Sequence, residues 1–197
     1  MTDVIDLLAG LMDDSPLAAI RDRKPVTRQN AQASYRALFE PADPGDVTVR
    51  ERFALAVFVA GLHAEEEAAA FYGAGLAGTK PDAAFVAALS AEFVRGRAVG
   101  PYGAYPKGPL SVEDVDGPAY HAAEAHRAVL GTRITAALAH VHMLVFHPRD
   151  SNAAALQALL DAGWSNAGIV TLSQLVAFLS FQIRAAAGLR ILSRSVQ

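Results

Sequence analysis

The chain has 197 residues, 52% of them hydrophobic and 19% charged, with a formal net charge of −3 and no cysteine. That balance is globular rather than disordered, and the length suits one domain or two small halves sharing a core. The charge gives no electrostatic basis for binding nucleic acid or an anionic membrane, and the missing sulfur excludes thiol catalysis and disulfides.

The opening residues Met1-Thr2-Asp3-Val4-Ile5-Asp6 are acidic where a secretory leader would be basic. Leu7, Leu8 and Leu11 then fall at helical spacing, and Asp13-Asp14-Ser15-Pro16 stops that helix. Ser15 is placed to cap a second short helix with Pro16 in its first turn, where a missing N–H costs nothing. Pro25 ends it, and a third helix is expected over 27–39, with Tyr35, Leu38 and Phe39 as its apolar stripe.

Pro41-Ala42-Asp43-Pro44-Gly45-Asp46 is a turn by composition, and Thr48 with Glu51 three residues on is a capping-box signature. The helix it opens, over 49–63, is apolar on most faces (Phe53, Leu55, Val57, Phe58, Val59, Leu62), the mark of a buried central helix. A further helix over 65–77, continuing past a candidate kink at Gly61, ends at Gly78. Pro81 and Asp82 start the next, with Phe85, Leu89 and Phe93 on one face.

From Gly96 to Pro118 the texture changes, and over Gly100–Pro109 proline and glycine interrupt the chain every few residues, so no helix is expected there. A loop of this length reads either as a lid or binding segment or as an ordered surface crossover between two helical halves, 1–95 and 119–197. A long helix over 119–146 is stopped by Pro148. Ser151 caps a helix ending at Gly163, and Ser165 caps the last, which runs through Arg190. No alternating pattern suggests a strand, so the expected class is all-α. No run reaches the roughly 20 uninterrupted apolar residues that span a bilayer. The longest, 169–183, is broken by Thr171, Ser173, Gln174, Ser180 and Gln182, and the expectation is a cytoplasmic protein without membrane contact.

The segment Leu156-Gln157-Ala158-Leu159-Leu160-Asp161-Ala162-Gly163-Trp164-Ser165-Asn166-Ala167-Gly168-Ile169-Val170 resembles the Ala-Gly-Trp-Ser signature of peroxidase-related proteins. These belong to the carboxymuconolactone decarboxylase and alkylhydroperoxidase-D-like superfamily. Residues 175–184 with Gly188, and Arg50-Glu51-Arg52-Phe53-Ala54-Leu55-Ala56-Val57 upstream, extend the likeness over about two-thirds of the chain. The resemblance implies an alkylhydroperoxidase-D-like helical bundle that assembles as a homo-oligomer.

It also implies a Cys-x-x-Cys-x-x-x-His motif, in which a thiolate attacks peroxide and the second cysteine resolves the sulfenic acid as a disulfide. Here the motif is gone. Anchored on Gly73-Ala74-Gly75-Leu76, the cysteine positions fall on Glu65 and Ala68 and the histidine on Tyr72. Anchored on Glu51, they fall on His63 and Glu66, and the histidine on Ala70. Both registers stay open, and neither supplies sulfur.

A general acid and base remain conceivable, with His63, Glu51 and one of Glu65, Glu66 or Glu67 as the candidate constellation and Tyr72 as a further site residue. Glu51 lies three turns below His63, so a glutamate from the following helix is the better partner. Three acids in a first turn are also what a helix dipole favours without any functional need. His140, His142 and His147 lack the three-or-four spacing of zinc ligands on one helix, so neither a metal nor another cofactor is expected. His121 and His126, flanking Glu124, read as a solvated helix face. Arg184, in an apolar helix, needs an acidic partner or an anionic ligand if buried. No phosphate-cradling loop and no nucleophile elbow is present. The expectation is a family member without thiol peroxidase activity, acting either as an acid–base enzyme on a small organic acid or as a non-catalytic ligand-binding or scaffold protein beside an active paralogue.

Overall fold

The computed structural model describes residues 3–195, and these are all-α: 72% helical, in nine α-helices with no strand among the described residues. In chain order they are α1 (Val4–Ala9), α2 (Pro16–Asp22), α3 (Pro25–Phe39), α4 (Val49–Leu62), α5 (Glu66–Gly78), α6 (Ala83–Arg95), α7 (Glu124–Phe146), α8 (Ala153–Asp161) and α9 (Asn166–Ser195).

Helix α4 is the axis. Ala54, Leu55, Ala56, Phe58, Val59 and Ala60 have no exposed surface, and α5, α6, α7 and α9 pack around it. This is the geometry expected of a helix that is apolar all round. The close approach of α6 depends on Gly61, because a Cβ there would sit 2.2 Å from Cγ of Phe93. Gly61 therefore marks a packing contact rather than a kink. The direction changes at 63–65, where Ala64 adopts a left-handed backbone (φ 54°) between α4 and α5.

The start of α4 is closed by polar contacts. Thr48 and Glu51 form the capping box, with Glu51 N–H donating to Thr48 Oγ1 at 3.2 Å and Thr48 N–H to Glu51 Oε2 at 2.8 Å. Arg52, buried, donates to the carbonyls of Val47 (2.9 Å), Leu38 (2.9 Å) and Pro44 (2.7 Å), which ties the 40–48 turn to the end of α3. Arg133 reaches in from α7, donating to Glu51 at 2.7 Å and to the Asp46 carbonyl at 2.6 Å. Its guanidinium also lies 4.0 Å over the Trp164 ring, and the Trp164 indole N–H donates back to the Arg133 carbonyl at 2.9 Å.

Several boundaries differ from the sequence-based expectation. Helix α3 begins at Pro25 itself, since proline suits a first turn better than it ends the helix before. Asn152, not Ser151, caps α8 by accepting from the Ala155 N–H at 3.0 Å. Helix α7 starts at Glu124 rather than near 119, and Gly131 (φ 79°, ψ 159°) breaks its helical path. By length and composition α7 and α9 are both apolar enough to cross a membrane, although no uninterrupted run suggested it. In the fold 56% of the apolar window of α7 and 33% of that of α9 is buried.

Trp164 fills the junction of α8 and α9 at 2% exposure and holds Arg133 in place, so its removal combines a cavity with a lost hydrogen bond. Trp164→Ala should lower unfolding stability by about 3–5 kcal/mol in urea titrations. A loss under 1 kcal/mol would contradict this role.

Candidate functional site

The residues singled out from the sequence do not converge. Glu51 is held by Thr48 and Arg133 at the start of α4. Glu65 pairs with Arg190 of α9, which also donates to the Leu8 carbonyl at 2.8 Å and lies 3.5 Å from Glu67. Together these contacts tie α5, α9 and α1. Glu66 is exposed. Tyr72 is fully buried among Phe39 and Phe71, with ring centroids 5.0 and 5.1 Å away, and its hydroxyl donates to Gln182 Oε1. Burial holds that phenol well above its usual pKa. Ala68 is buried and Ala70 exposed. No glutamate bonds His63, so the anticipated histidine–glutamate pair is not assembled.

His63 instead sits at the carboxyl end of α4, in the wall of a cavity of about 430 Å³. The cavity is bounded by Leu62, by Leu144, Val145, Phe146 and Pro148 at the end of α7, by Ser180 and Arg184 of α9, and by Ala98, Gly100 and Pro101 of the crossover. The Nε2 atom of His63 is buried and has no hydrogen-bond partner. Burial, reinforced by the positive charge of Arg184, lowers the imidazole pKa to about 4, so the ring is neutral at pH 7. Arg184 is exposed and has no carboxylate or hydrogen-bond partner among the described residues. Gly100 lets the crossover lie against α7, since a Cβ there would meet the Phe146 carbonyl at 3.1 Å.

The crossover is an ordered surface connection. Tyr102 is buried, its N–H donating to the Phe146 carbonyl at 3.0 Å and its hydroxyl to that of Pro118 at 2.9 Å. Gly103 and Val115 form an isolated antiparallel bridge. Asp150 accepts from the Ala104 N–H at 2.8 Å and pairs with His147 at 2.9 Å. These residues line a second cavity of about 290 Å³ with Asp114 and Asp116.

The most heavily bonded buried group was not singled out from the sequence. Glu92 of α6 has no exposed surface, and its carboxylate meets His126 Nδ1, the Tyr120 hydroxyl (2.7 Å), the Ala123 N–H (3.0 Å) and Arg95 (3.4 Å). Burial alone would push its carboxyl upward. The hydrogen bonds from His126, Tyr120 and Ala123, with the charge of Arg95, hold it below the ordinary value instead. Since α7 has no side-chain cap of its own, Glu92 supplies a negative charge and an acceptor at that helix start. His126, half-buried, therefore pairs with a buried carboxylate, while His121 stays on the exposed face. The available signal was an acid on the stripe formed by Phe85, Leu89 and Phe93.

Tyr120 stacks on His142 with centroids 4.8 Å apart, and His142 Nε2 donates to the Gly96 carbonyl at 3.0 Å. Burial, with the nearby His147, lowers the His142 pKa to about 4. His140 pairs with Ser173 at 3.2 Å. Among the described residues, no three His, Asp or Glu side chains are grouped to hold a metal ion.

His63 and His142 generate an acid sensitivity. Both have pKa values of about 4 in the fold against an ordinary 6.5, so the unfolded chain takes up their protons first. Stability should be full above pH 6.5 and fall as the pH drops toward 4. Urea unfolding across that range should show the decline, with a shallower slope in His142→Phe; an unchanged slope would contradict the assignment of His142. No family model, no curated protein and no solved structure matches this chain.

Proposed function

We propose that the chain is a cysteine-less relative of the alkylhydroperoxidase-D-like superfamily that binds a small molecule in the His63 cavity without thiol or acid–base chemistry. The observation that carries this reading is the solitary position of His63. It faces a cavity with no carboxylate beside it, while Glu51, Glu65 and Tyr72 are each engaged elsewhere. A general base works best with a pKa near the operating pH. An imidazole at about 4, without an orienting acid, suits a binding wall better than a proton shuttle.

The Ala-Gly-Trp-Ser segment at the α8–α9 junction and the all-α architecture support the relationship. The reading includes self-association as a homo-oligomer, supported by apolar side chains exposed along α9, among them Val170, Phe181 and Ile191.

Purified protein supplied with an organic hydroperoxide and a dithiol reductant should consume peroxide no faster than buffer. Turnover well above buffer would refute the loss of peroxidase chemistry. In a fragment screen by saturation-transfer NMR, small apolar compounds should bind the wild type and not Ser180→Phe, which fills the cavity. Equal signals from both proteins would count against the site.

A further inference from the structure

Arginines that the fold uses have their N–H groups filled. Arg52 holds three carbonyls, Arg133 holds Glu51 and two carbonyls, and Arg190 holds Glu65 and the Leu8 carbonyl. Arg184 differs. Its guanidinium borders the His63 cavity and has no acceptor among the described residues. A guanidinium fork without a protein partner, at the edge of a cavity of mixed polar and apolar lining, matches the planar two-oxygen face of a carboxylate.

The other walls narrow the ligand. Ser180 lies one helical turn before Arg184 on α9, so its hydroxyl and the guanidinium share a face and can donate to one anion. Leu144, Phe146 and Pro101 supply apolar surface for the body of the ligand. His63 contributes a neutral ring, which avoids setting a second positive charge beside Arg184. A cationic ligand would meet Arg184 unfavourably. A phosphate dianion would have one cation and no helix start or glycine nest to share its charge.

We infer that the cavity takes a small monocarboxylate with an apolar body, its carboxylate held by Arg184 and Ser180 and its body lying against Leu144, Phe146 and Pro101. This rests on the reading of the cavity as a ligand site and adds the charge and shape of what enters it.

The test compares benzoate with benzyl alcohol, similar in size and differing in the anionic group, by calorimetric titration of the full chain at pH 7. Benzoate should bind at least 10-fold more tightly, and Arg184→Gln should weaken benzoate by about 10- to 100-fold while leaving benzyl alcohol unchanged. Ser180→Phe should abolish binding of both. Arg184 is exposed, and circular dichroism and thermal unfolding will confirm that both variants fold. If the alcohol binds as well as benzoate, or Arg184→Gln leaves benzoate unaffected, the carboxylate assignment is overturned while the cavity remains a ligand site. If neither compound binds the wild type, both readings fail.

Discussion

A helix whose central turns are enclosed on every side needs packing partners all round, and this constraint on α4 organises the molecule. Its first N–H and last C=O groups need partners from the chain around them. At the start, Thr48 Oγ1 accepts from the Glu51 N–H, while Arg52 and Arg133 fasten the preceding turn and the Glu51 carboxylate around it. The finish is closed more loosely. Arg97 donates to the Gly61 carbonyl at 3.1 Å, Glu65 N–H donates to the Ala60 carbonyl at 3.1 Å, and Ala64 turns the backbone in a left-handed conformation. The His63 cavity opens at this second end, where packing is interrupted and one ring nitrogen lacks a partner.

Charged side chains elsewhere connect the elements around that axis. Arg133 joins α4, α7 and the α8–α9 junction, and Arg190 joins α1, α5 and α9. Glu92 joins α6 to the start of α7. A buried ion pair adds little against an apolar replacement, but breaking one partner leaves a charge stranded. Such contacts therefore fix which helix meets which more than they raise the total stability. The apolar core, continuous from α1 to α9, supplies the driving force.

What was legible in the sequence was local. The Thr48–Glu51 capping box, the Ser15–Pro16 helix start and the all-round apolarity of α4 involve neighbours within a turn or two, and the structure has each of them. Ser165 likewise caps α9 by accepting from the Gly168 N–H at 3.0 Å. The start of α7 was misplaced because residues 119–123 have ordinary helical composition. They are drawn out by Tyr120 and Ala123 reaching to Glu92, about 30 positions away. For the same reason Glu65 could be offered as a partner for His63: nothing near it reveals that Arg190, 125 residues on, claims its carboxylate. Arg184 was visible as an unusual charge in an apolar helix, yet only the fold shows what stands opposite it.

The tip of the crossover does little to hold the two halves together. Residues 106–110 and 112–117 are exposed, whereas Tyr72 meets Gln182 across 110 positions, α4 packs on α7 and α9, and α1 rests on α9. The peptide link at the tip of that loop is thus nearly dispensable to the packed state. A chain nicked near Lys107 would stay in one piece, and two separately made fragments would have in α4 a common surface on which to reassemble.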